Sequence, residues 1–447
     1  MGFRFRPVLA GAVVVVVALA GASCSSSAKP TSSSTSAAPS STAQGAPTTA
    51  APVLTASAPG VTPTTVTVGL ETDLTGVAGS TFSDTQQGAQ ARIDLQNAMG
   101  GVNGRKISLV TIDDQSNPTQ VLTAAKSLIE VKNVFAVIGY SAFQFEAAKY
   151  YQQQGIPVVG AGFDGPEWNE QPYTNMFSYA GTGDPASPAT TTDGMFLKSI
   201  GVTKLAGLGY SISPSASDKI KQDMESATAA GIQNCYENLS IPFGGVDFTA
   251  AVLQIKAKGC DGVVGALVDA SDVALSTALH QAGYTGKELY FSGFDQATLD
   301  QPTARQASQG NYYATLVPFE APTPALIAAL GSIKKYDTAY TGGIPDIGLF
   351  GGWEAADLMI EGLKVAGTNP TRQSFITNLH QVTDYTISGL ALSPIDLSRF
   401  GKSEPQDCWD YAQLQGNGFI DANPTSGKPV CGTVIPNSDV EPSLVGK

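Results

Sequence analysis

The segment GAQARIDLQNAMGGVNGRKISLVTIDDQSNPTQ, residues 88–120, decides the fold of this chain. Its first part has helical composition, and the glycine pair at residues 100–101 ends the helix. Residues 106–112 then form a predicted β-strand. Asn117 is a typical helix cap, and Pro118 suits the first turn of the helix that follows. The segment therefore predicts helix, strand and helix in succession, which is the unit of an α/β fold.

The same alternation extends outward in both directions. Short apolar strands between amphipathic helices predict parallel sheets with helices on both faces. The alternation of strands and helices starts again after Tyr179, which predicts two α/β units in series. Further predicted strands are residues 64–70, 134–138, 156–159, 205–209, 232–237, 262–267 and 288–291. Further predicted helices are residues 142–154, 217–230, 247–258, 272–282, 324–340 and 352–366, and the turn-rich segment 387–447 is predicted to be β.

The N-terminus predicts export and anchoring. Two arginines, an apolar run and small residues precede Cys24, as in an export signal. A cysteine at the cleavage point resembles a bacterial lipoprotein signal, although Gly21 replaces the usual aliphatic residue. The alternative is an uncleaved anchor, but the apolar run is shorter than the ~20 residues of a spanning helix. We predict a signal peptide over residues 1–23, a lipidated Cys24 and a disordered Ser/Thr/Ala/Pro tether over residues 24–61.

The rest of the chain has globular composition and is long enough for two domains. The whole chain has a net charge of −13 and few basic clusters, which argues against nucleic acid as a partner. The four remaining cysteines suggest disulfides in an exported chain, and three pairings are possible. We favour the two that close short loops, Cys235–Cys260 and Cys408–Cys431. A zinc site is disfavoured because the chain lacks CxxC spacing and has 2 histidines.

Two motifs suggest chemistry that their context does not support. Residues 160–165 read GAGFDG, the spacing of a dinucleotide fingerprint, but Pro166 follows directly and three predicted strands precede it. We therefore expect no cofactor. Asp113 and Asp114 end a strand before a capped helix, so capping is a better explanation than acid–base or metal chemistry. The sequence contains no GxSxG, and no His stands beside a candidate nucleophile, so no catalytic residue is predicted and the chain is not expected to be an enzyme.

Several segments carry a family resemblance. VTVGLETDLTG (residues 66–76), the opening segment and VFAVIG (134–139) resemble the leucine/isoleucine/valine-binding family, the type I periplasmic solute receptors of ABC transporters. DFTAAVLQIKAKGCDGVV (247–264), ALHQAGYTG (278–286) and GGWEAADLMIEGLKVAG (351–367) extend this resemblance. It covers the chain from about residue 62 to near residue 419.

The resemblance implies a type I periplasmic-binding-protein fold: two Rossmann-like lobes joined by three crossovers, with the ligand cleft between them. We place the crossovers near residues 181–188, 312–318 and 388–394. Lobe 1 is then residues 62–183 plus 317–388, lobe 2 is residues 184–316 plus 389–440, and residues 441–447 are a tail. Closure of the lobes around the ligand is a hinge motion that a membrane permease can recognise.

The candidate ligand residues lie in the loops that follow strands, because ligands of open parallel sheets bind beyond the carboxyl ends of the strands. By resemblance, Asp295 lies where a carboxylate takes the ligand's ammonium group, and Ser141 and Ala142 lie where its carboxylate is held. The full candidate set is Thr75, Ser80, Phe82, Tyr140, Ser141, Ala142, Phe143, Phe163, Asp164, Tyr210, Asp269, Asp272, Phe294 and Asp295.

One departure from the family pattern concerns the ligand. Asp164 stands where amino-acid receptors offer a hydroxyl, and it would repel a carboxylate. Phe143, Phe163 and Trp168 offer aromatic surface, although they would equally serve to pack the lobe. We therefore expect an aromatic, amide or cationic ligand rather than leucine.

The predicted function is that of a monomeric, lipid-anchored solute receptor at the outer face of the cell membrane. Its expected partners are a small-molecule ligand, ABC permease subunits and the membrane, which it contacts through the anchor. One alternative is a sensor that signals to a membrane partner without transport. Another is an exported enzyme on an α/β scaffold, which would require a catalytic constellation that the sequence does not show.

Overall fold

The computed structural model describes residues 53–168, 171–179, 188–398 and 408–436. These ranges contain nearly all of the predicted two-lobe body, residues 62–440. The predicted signal peptide, Cys24, most of the tether, residues 181–187 of the first crossover and the predicted tail lie outside them.

Lobe 1 is built on a five-stranded parallel sheet in the order β2-β1-β3-β4-β5. Its strands alternate with helices because apolar runs such as Val137–Tyr140, buried throughout, need cover on both faces. The elements are β1 (Thr65–Thr72), α1 (Gly79–Phe82), α2 (Thr85–Ala98), β2 (Lys106–Asp113), α3 (Pro118–Lys126), β3 (Val137–Tyr140), α4 (Phe145–Gln153), β4 (Val158–Gly160) and β5 (Met176–Ser178).

Lobe 2 is built on a second sheet, in which a parallel part continues into antiparallel strands at one edge. The strand order is β12-β11-β10-β9-β8-β6-β7, and β13 pairs with β11. The elements are α5 (Thr192–Ser199), β6 (Lys204–Tyr210), α6 (Pro214–Ala229), β7 (Gln233–Ile241), α7 (Thr249–Lys258), β8 (Gly262–Ala266), α8 (Asp269–Gln281), β9 (Lys287–Tyr290), α9 (Gln296–Asp300), α10 (Pro302–Ala307), β10 (Tyr312–Thr315), β11 (Cys408–Gln415), β12 (Gly418–Asp421) and β13 (Val430–Cys431).

Three later helices return to lobe 1: α11 (Pro324–Tyr336), α12 (Ile347–Val365) and α13 (Arg372–Leu379). Helix α12 is buried along nearly its whole length and packs against α2. The two backbones approach closely because each helix places a glycine against the backbone of the other. A Cβ atom added at Gly88 would lie 1.7 Å from the carbonyl oxygen of Leu349, and one at Gly352 would lie 2.1 Å from that of Thr85.

Both disulfides that the sequence predicts are present. Cys235–Cys260 joins the start of β7 to the segment before β8, and Cys408–Cys431 joins β11 to β13. Cross-links of this kind stabilise a fold mainly by restricting the unfolded chain.

The tether is shorter than predicted. The backbone N–H of Thr55 donates to Asn369 Oδ1 at 2.9 Å, and the buried Arg105 guanidinium donates to the Thr55 carbonyl at 2.8 Å. Val61 is part of the apolar core. The prediction of disorder up to residue 61 is therefore wrong for residues 53–61, because the body supplies hydrogen-bond partners that composition does not reveal.

Backbone pairing narrows two of the predicted crossover segments. Residues 312–315 form β10 inside the lobe 2 sheet, so within the segment 312–318 the chain leaves that sheet after Thr315. At the segment 388–394, Tyr385 and Ile395 on either side of it exchange both backbone hydrogen bonds, at 3.0 and 2.7 Å.

Candidate functional site

A cavity of about 300 Å³ lies between the two sheets and takes lining residues from both lobes. Its lobe 1 wall is an aromatic cluster at the carboxyl ends of β3 and β4, where a parallel sheet places ligand-facing loops. Phe82 and Phe163 stack with ring centroids 5.6 Å apart, and Tyr140 meets both edge-on, at 5.7 and 5.4 Å. The wall is therefore rigid, apolar and rich in π surface.

Further aromatic side chains of both lobes line the cavity. Phe319 lies between Phe294, at 6.0 Å, and Phe350 of α12, at 4.9 Å. At another side Phe243, in the loop after β7, meets Tyr210 with ring centroids 5.0 Å apart. All five line the cavity, so its lining is aromatic beyond the lobe 1 wall as well.

Three carboxyl side chains also line the cavity: Asp295, Asp346 and Glu354. Asp295 and Asp346 cap the starts of α9 and α12, each accepting a backbone N–H at 2.6 Å. Burial raises the pKa of all three, to about 8 for both Asp346 and Glu354. Nearby Asp84, Asp295 and Asp269 add to the shift at Asp346. None of the ion pairs among the described residues includes any of these three carboxyls.

Lys219 brings a cation to the cavity, but that charge is already neutralised. Its Nζ donates to Asp193 at 2.8 Å and also to Asp223, and it lies 4.2 Å from the ring centroid of Phe291. Burial alone would lower the pKa of Lys219, but the two aspartates outweigh burial and raise it. The lysine is therefore a poor anchor for a ligand anion.

Seven of the fourteen candidate residues line the cavity. Phe82 ends helix α1, and the other six lie at the ends of strands or in the loops directly after them: Tyr140, Ala142, Phe163, Tyr210, Phe294 and Asp295.

The place where the resemblance puts a ligand carboxylate is filled by the protein itself. The Ala142 N–H donates to Asp73 Oδ2 at 2.7 Å, and the Phe143 N–H donates to the buried Ser141 hydroxyl at 3.1 Å. Asp164 accepts the Phe145 N–H that starts α4, at 2.6 Å, and so occupies the helix terminus. These N–H groups have no capacity left for an external anion.

The other candidates that do not line the cavity have local structural partners. The Thr75 hydroxyl donates to Asp113 at 2.6 Å, and Asp272 accepts the Ser292 hydroxyl at 2.8 Å. Phe143 is buried and packs on Phe243 across the lobes at 4.9 Å. Ser80 is exposed on α1, while Asp269 starts α8 and donates its backbone N–H to Thr81 at 3.3 Å. Trp168, expected to offer π surface, is buried and donates to Asp164 at 2.6 Å.

Sequence reasoning missed part of the cavity. Phe243 follows β7 and Phe291 follows β9, so the rule that placed the other loops would have found them. Asp346 could have been found from the sequence for another reason, because aspartate is a typical N-cap and Asp346 stands directly before α12. Glu354 and Lys219 lie inside helices, where no loop rule applies.

Over the described ranges, no group of three or more His, Cys, Asp or Glu side chains is arranged to hold a metal ion. None of the described helices combines the length and apolar character needed to cross a membrane.

Comparison with known proteins assigns the family. Residues 65–418 match the family model described as periplasmic binding protein. An amino acid binding protein of Pseudomonas aeruginosa is 28% identical over 206 residues, which are 44% of this chain and 52% of that relative. The match thus spans about half the length of the relative.

Two solved structures share the fold. The solute-binding protein of an R. palustris ABC transporter, in complex with benzoate, has a TM-score of 0.68 at 19% identity and covers 84% of this chain and 98% of its own. A fatty acid ABC transporter substrate-binding protein from Thermomonospora curvata also has a TM-score of 0.68, at 18% identity, and covers 87% and 97%. The chain therefore belongs to the periplasmic binding protein family of solute-binding proteins and has the type I fold with two α/β lobes.

Proposed function

We propose that this chain is the lipid-anchored substrate-binding component of an ABC importer, and that its ligand is a small molecule with an aromatic body and a cationic or amide head. The observation that carries the proposal is the cavity between the lobes, whose walls are aromatic and whose lining carboxyls are Asp295, Asp346 and Glu354. An aromatic body would stack on Phe82 and Phe163, and a cationic head would lie against the carboxyls.

The ligand class follows from which polar groups are available. An α-amino acid needs both an anion site and a cation site. Here the Ala142 N–H is bonded to Asp73, the Phe145 N–H is bonded to Asp164, and Lys219 is held by two aspartates. Asp295, Asp346 and Glu354 have no cationic partner in any ion pair among the described residues, so we expect amines and amides to bind better than the corresponding amino acids.

Two structural neighbours support the proposed transport role. The two structural neighbours from R. palustris and Thermomonospora curvata belong to ABC transporters, and the first holds benzoate, a ligand with an aromatic body. By analogy, we propose delivery to permease subunits, with attachment to the membrane through Cys24 and residues 25–52 as the tether. Lobe 1 is then residues 53–183 plus 317 to the residues just beyond 397, and lobe 2 comprises the rest of the body.

A thermal-shift screen tests the binding proposal. The panel contains phenethylamine, tyramine, tryptamine and benzamide, with benzoate, hexanoate, leucine, isoleucine and valine as competing classes. Ligand at a hundred times its dissociation constant adds about 2.7 kcal/mol of stability. Hits confined to the amines and benzamide support the proposal. Hits confined to benzoate and hexanoate would indicate an anionic ligand whose head group lies at Lys219. Hits among leucine, isoleucine and valine would overturn the proposed ligand class.

Uptake separates import from sensing. Cells that lack the gene should lose uptake of the labelled hit and regain it with the wild-type chain. Cys24→Ala should release the protein into the medium and reduce uptake, because the unanchored receptor is diluted away from the permease. Unchanged uptake in the deletion strain would contradict the transport role while leaving the binding result intact.

A further inference from the structure

Two buried carboxyls, Asp73 and Asp114, lie directly behind the segment 141–143 that includes part of the cavity lining. Both are fully buried, and they follow the adjacent strands β1 and β2. One oxygen of each accepts a backbone N–H: Asp73 Oδ2 from Ala142 at 2.7 Å, and Asp114 Oδ1 from Ser116 at 2.9 Å. These contacts tie the two strand ends to the next loop.

The remaining oxygen of each carboxyl is unpartnered: Asp73 Oδ1 and Asp114 Oδ2 receive no N–H or O–H from any described side chain or backbone group. The strands β1 and β2 pair in parallel with Thr72 opposite Asp113, so the two aspartates that directly follow lie side by side. Two ionised carboxylates are acceptors only, so a hydrogen bond between them requires a proton on one partner. Like charges this close cannot both ionise easily in a buried site.

The surroundings strengthen this requirement. The carboxyls around the pair are Glu71 on β1, Asp113 at the end of β2 and Asp164 after β4. Glu71 also accepts the Tyr151 hydroxyl at 2.6 Å. None of the ion pairs among the described residues includes Asp73 or Asp114. Burial, and then the neighbouring carboxyl in the case of Asp73, raises the pKa of both aspartates.

The pair reaches the cavity through three consecutive residues. Asp73 holds the Ala142 N–H, and the Phe143 N–H donates to the Ser141 hydroxyl at 3.1 Å. Ala142 lines the cavity, and Phe143 packs on Phe243 of lobe 2. The position of this segment therefore affects both the ligand surface and the contact between the lobes.

We propose that Asp73 and Asp114 share one proton and act as positioning residues for segment 141–143, so that loss of the proton at rising pH loosens the segment and weakens ligand binding. The predicted effect on ligand binding rests on the proposed function, whereas the predicted loosening of segment 141–143 does not. The pair keeps its proton to higher pH when folded than when opened. Its contribution to stability is therefore complete at low pH and is lost as pH rises through the folded pKa.

Amide hydrogen exchange tests the loosening without any ligand. Exchange of the Ala142 and Phe143 amides is followed from pH 5 to 9 in the full chain and corrected for intrinsic exchange. While the folded pair retains its proton, the opening equilibrium should rise about tenfold per pH unit in the wild type. In Asp114→Asn the rise should vanish, because an amide N–H replaces the shared proton, and Asp73→Asn is the second variant should the first not fold.

Asp113→Asn is the matched control. Asp113 accepts the N–H groups of Leu74 and Gln115, and these bonds keep its pKa low in spite of some burial. It stays ionised above pH 5 in both states, so its loss should leave the pH slope of Ala142 and Phe143 exchange unchanged. A flat wild-type profile, or a slope that survives in both pair variants, would overturn the shared proton even if the cavity binds its ligand as proposed.

Discussion

At the residue scale, the ligand site differs from the family expectation because groups of the protein, rather than a ligand, are the hydrogen-bond partners of Ser141 and Ala142. The sequence predicts that Ser141 and Ala142 lie beside the cleft, and Ala142 does line it. Their polar groups, however, bind within the protein, to Asp73 and to Phe143. Sequence spacing identifies the loop, but the direction of each N–H depends on a carboxyl about seventy residues away, which no local pattern reveals.

Asp295→Asn isolates the proposed role of the charge in binding. Asparagine is as good an N-cap as aspartate, so the bond from the Thr298 N–H, 2.6 Å in the wild type, should persist and stability should change little. Affinity for a phenethylamine-type ligand should fall by about tenfold to a hundredfold, the usual cost of losing a charged hydrogen bond. Isothermal titration calorimetry measures it.

Asp300→Asn serves as the control, because Asp300 is exposed on the same helix and does not line the cavity. It should bind as the wild type does. Equal affinities of the wild type, Asp295→Asn and Asp300→Asn would show that Asp295 does not contribute to ligand binding.

At the element scale, the alternation of strands and helices was predictable and the element ends were less so. The helix predicted to start at residue 352 begins at Ile347 because Asp346 caps it. Gly351 and Gly352 both lie inside α12, where close packing against Tyr140 and α2 requires them. Such a packing reason is visible only in three dimensions.

Gly88→Ala tests the contact between α2 and α12. The new Cβ would lie 1.7 Å from the Leu349 carbonyl oxygen, so the helices must separate. We expect a loss of about 3 kcal/mol in the free energy of unfolding, at the upper end for overpacking, measured by urea denaturation.

Gly331→Ala is the matched control in α11, where the added Cβ meets nothing within 4 Å. It should stabilise the protein by up to about 1 kcal/mol through helix propensity alone. A neutral Gly88→Ala variant would show that α2 and α12 do not pack as described.

At the scale of the whole molecule, buried acids dominate the electrostatics. Burial raises the pKa to about 8 for Glu71, Asp164, Glu320, Asp346 and Glu354. Composition indicated an acidic protein but not where the acids lie, because burial of a carboxyl depends on the tertiary fold. The two-lobe architecture and both disulfides, in contrast, followed from strand rhythm, family motifs and cysteine spacing.

The protein should therefore be most stable near pH 5 and lose stability towards pH 8. A raised folded-state pKa favours the folded protein at low pH. For each carboxyl that is still protonated in the folded protein, the free energy of unfolding falls by about 1.4 kcal/mol per pH unit above the unfolded-state pKa. His280 acts in the same direction, because its bond to Glu288 raises its pKa. Urea denaturation at pH 5, 6, 7 and 8 measures this trend. Stability that rises across this range would contradict the buried, protonated acids.

The central claim is that the cavity favours an aromatic cation and lacks a site for a ligand carboxylate. Phenethylamine and phenylalanine test it directly, since they share the ring and the ammonium group and differ in the carboxylate. Calorimetric titration of the protein should show phenethylamine binding at one site per chain, at least about tenfold tighter than phenylalanine, a difference of about 1.4 kcal/mol. Tighter binding of phenylalanine would contradict the claim and would indicate an ordinary amino-acid receptor.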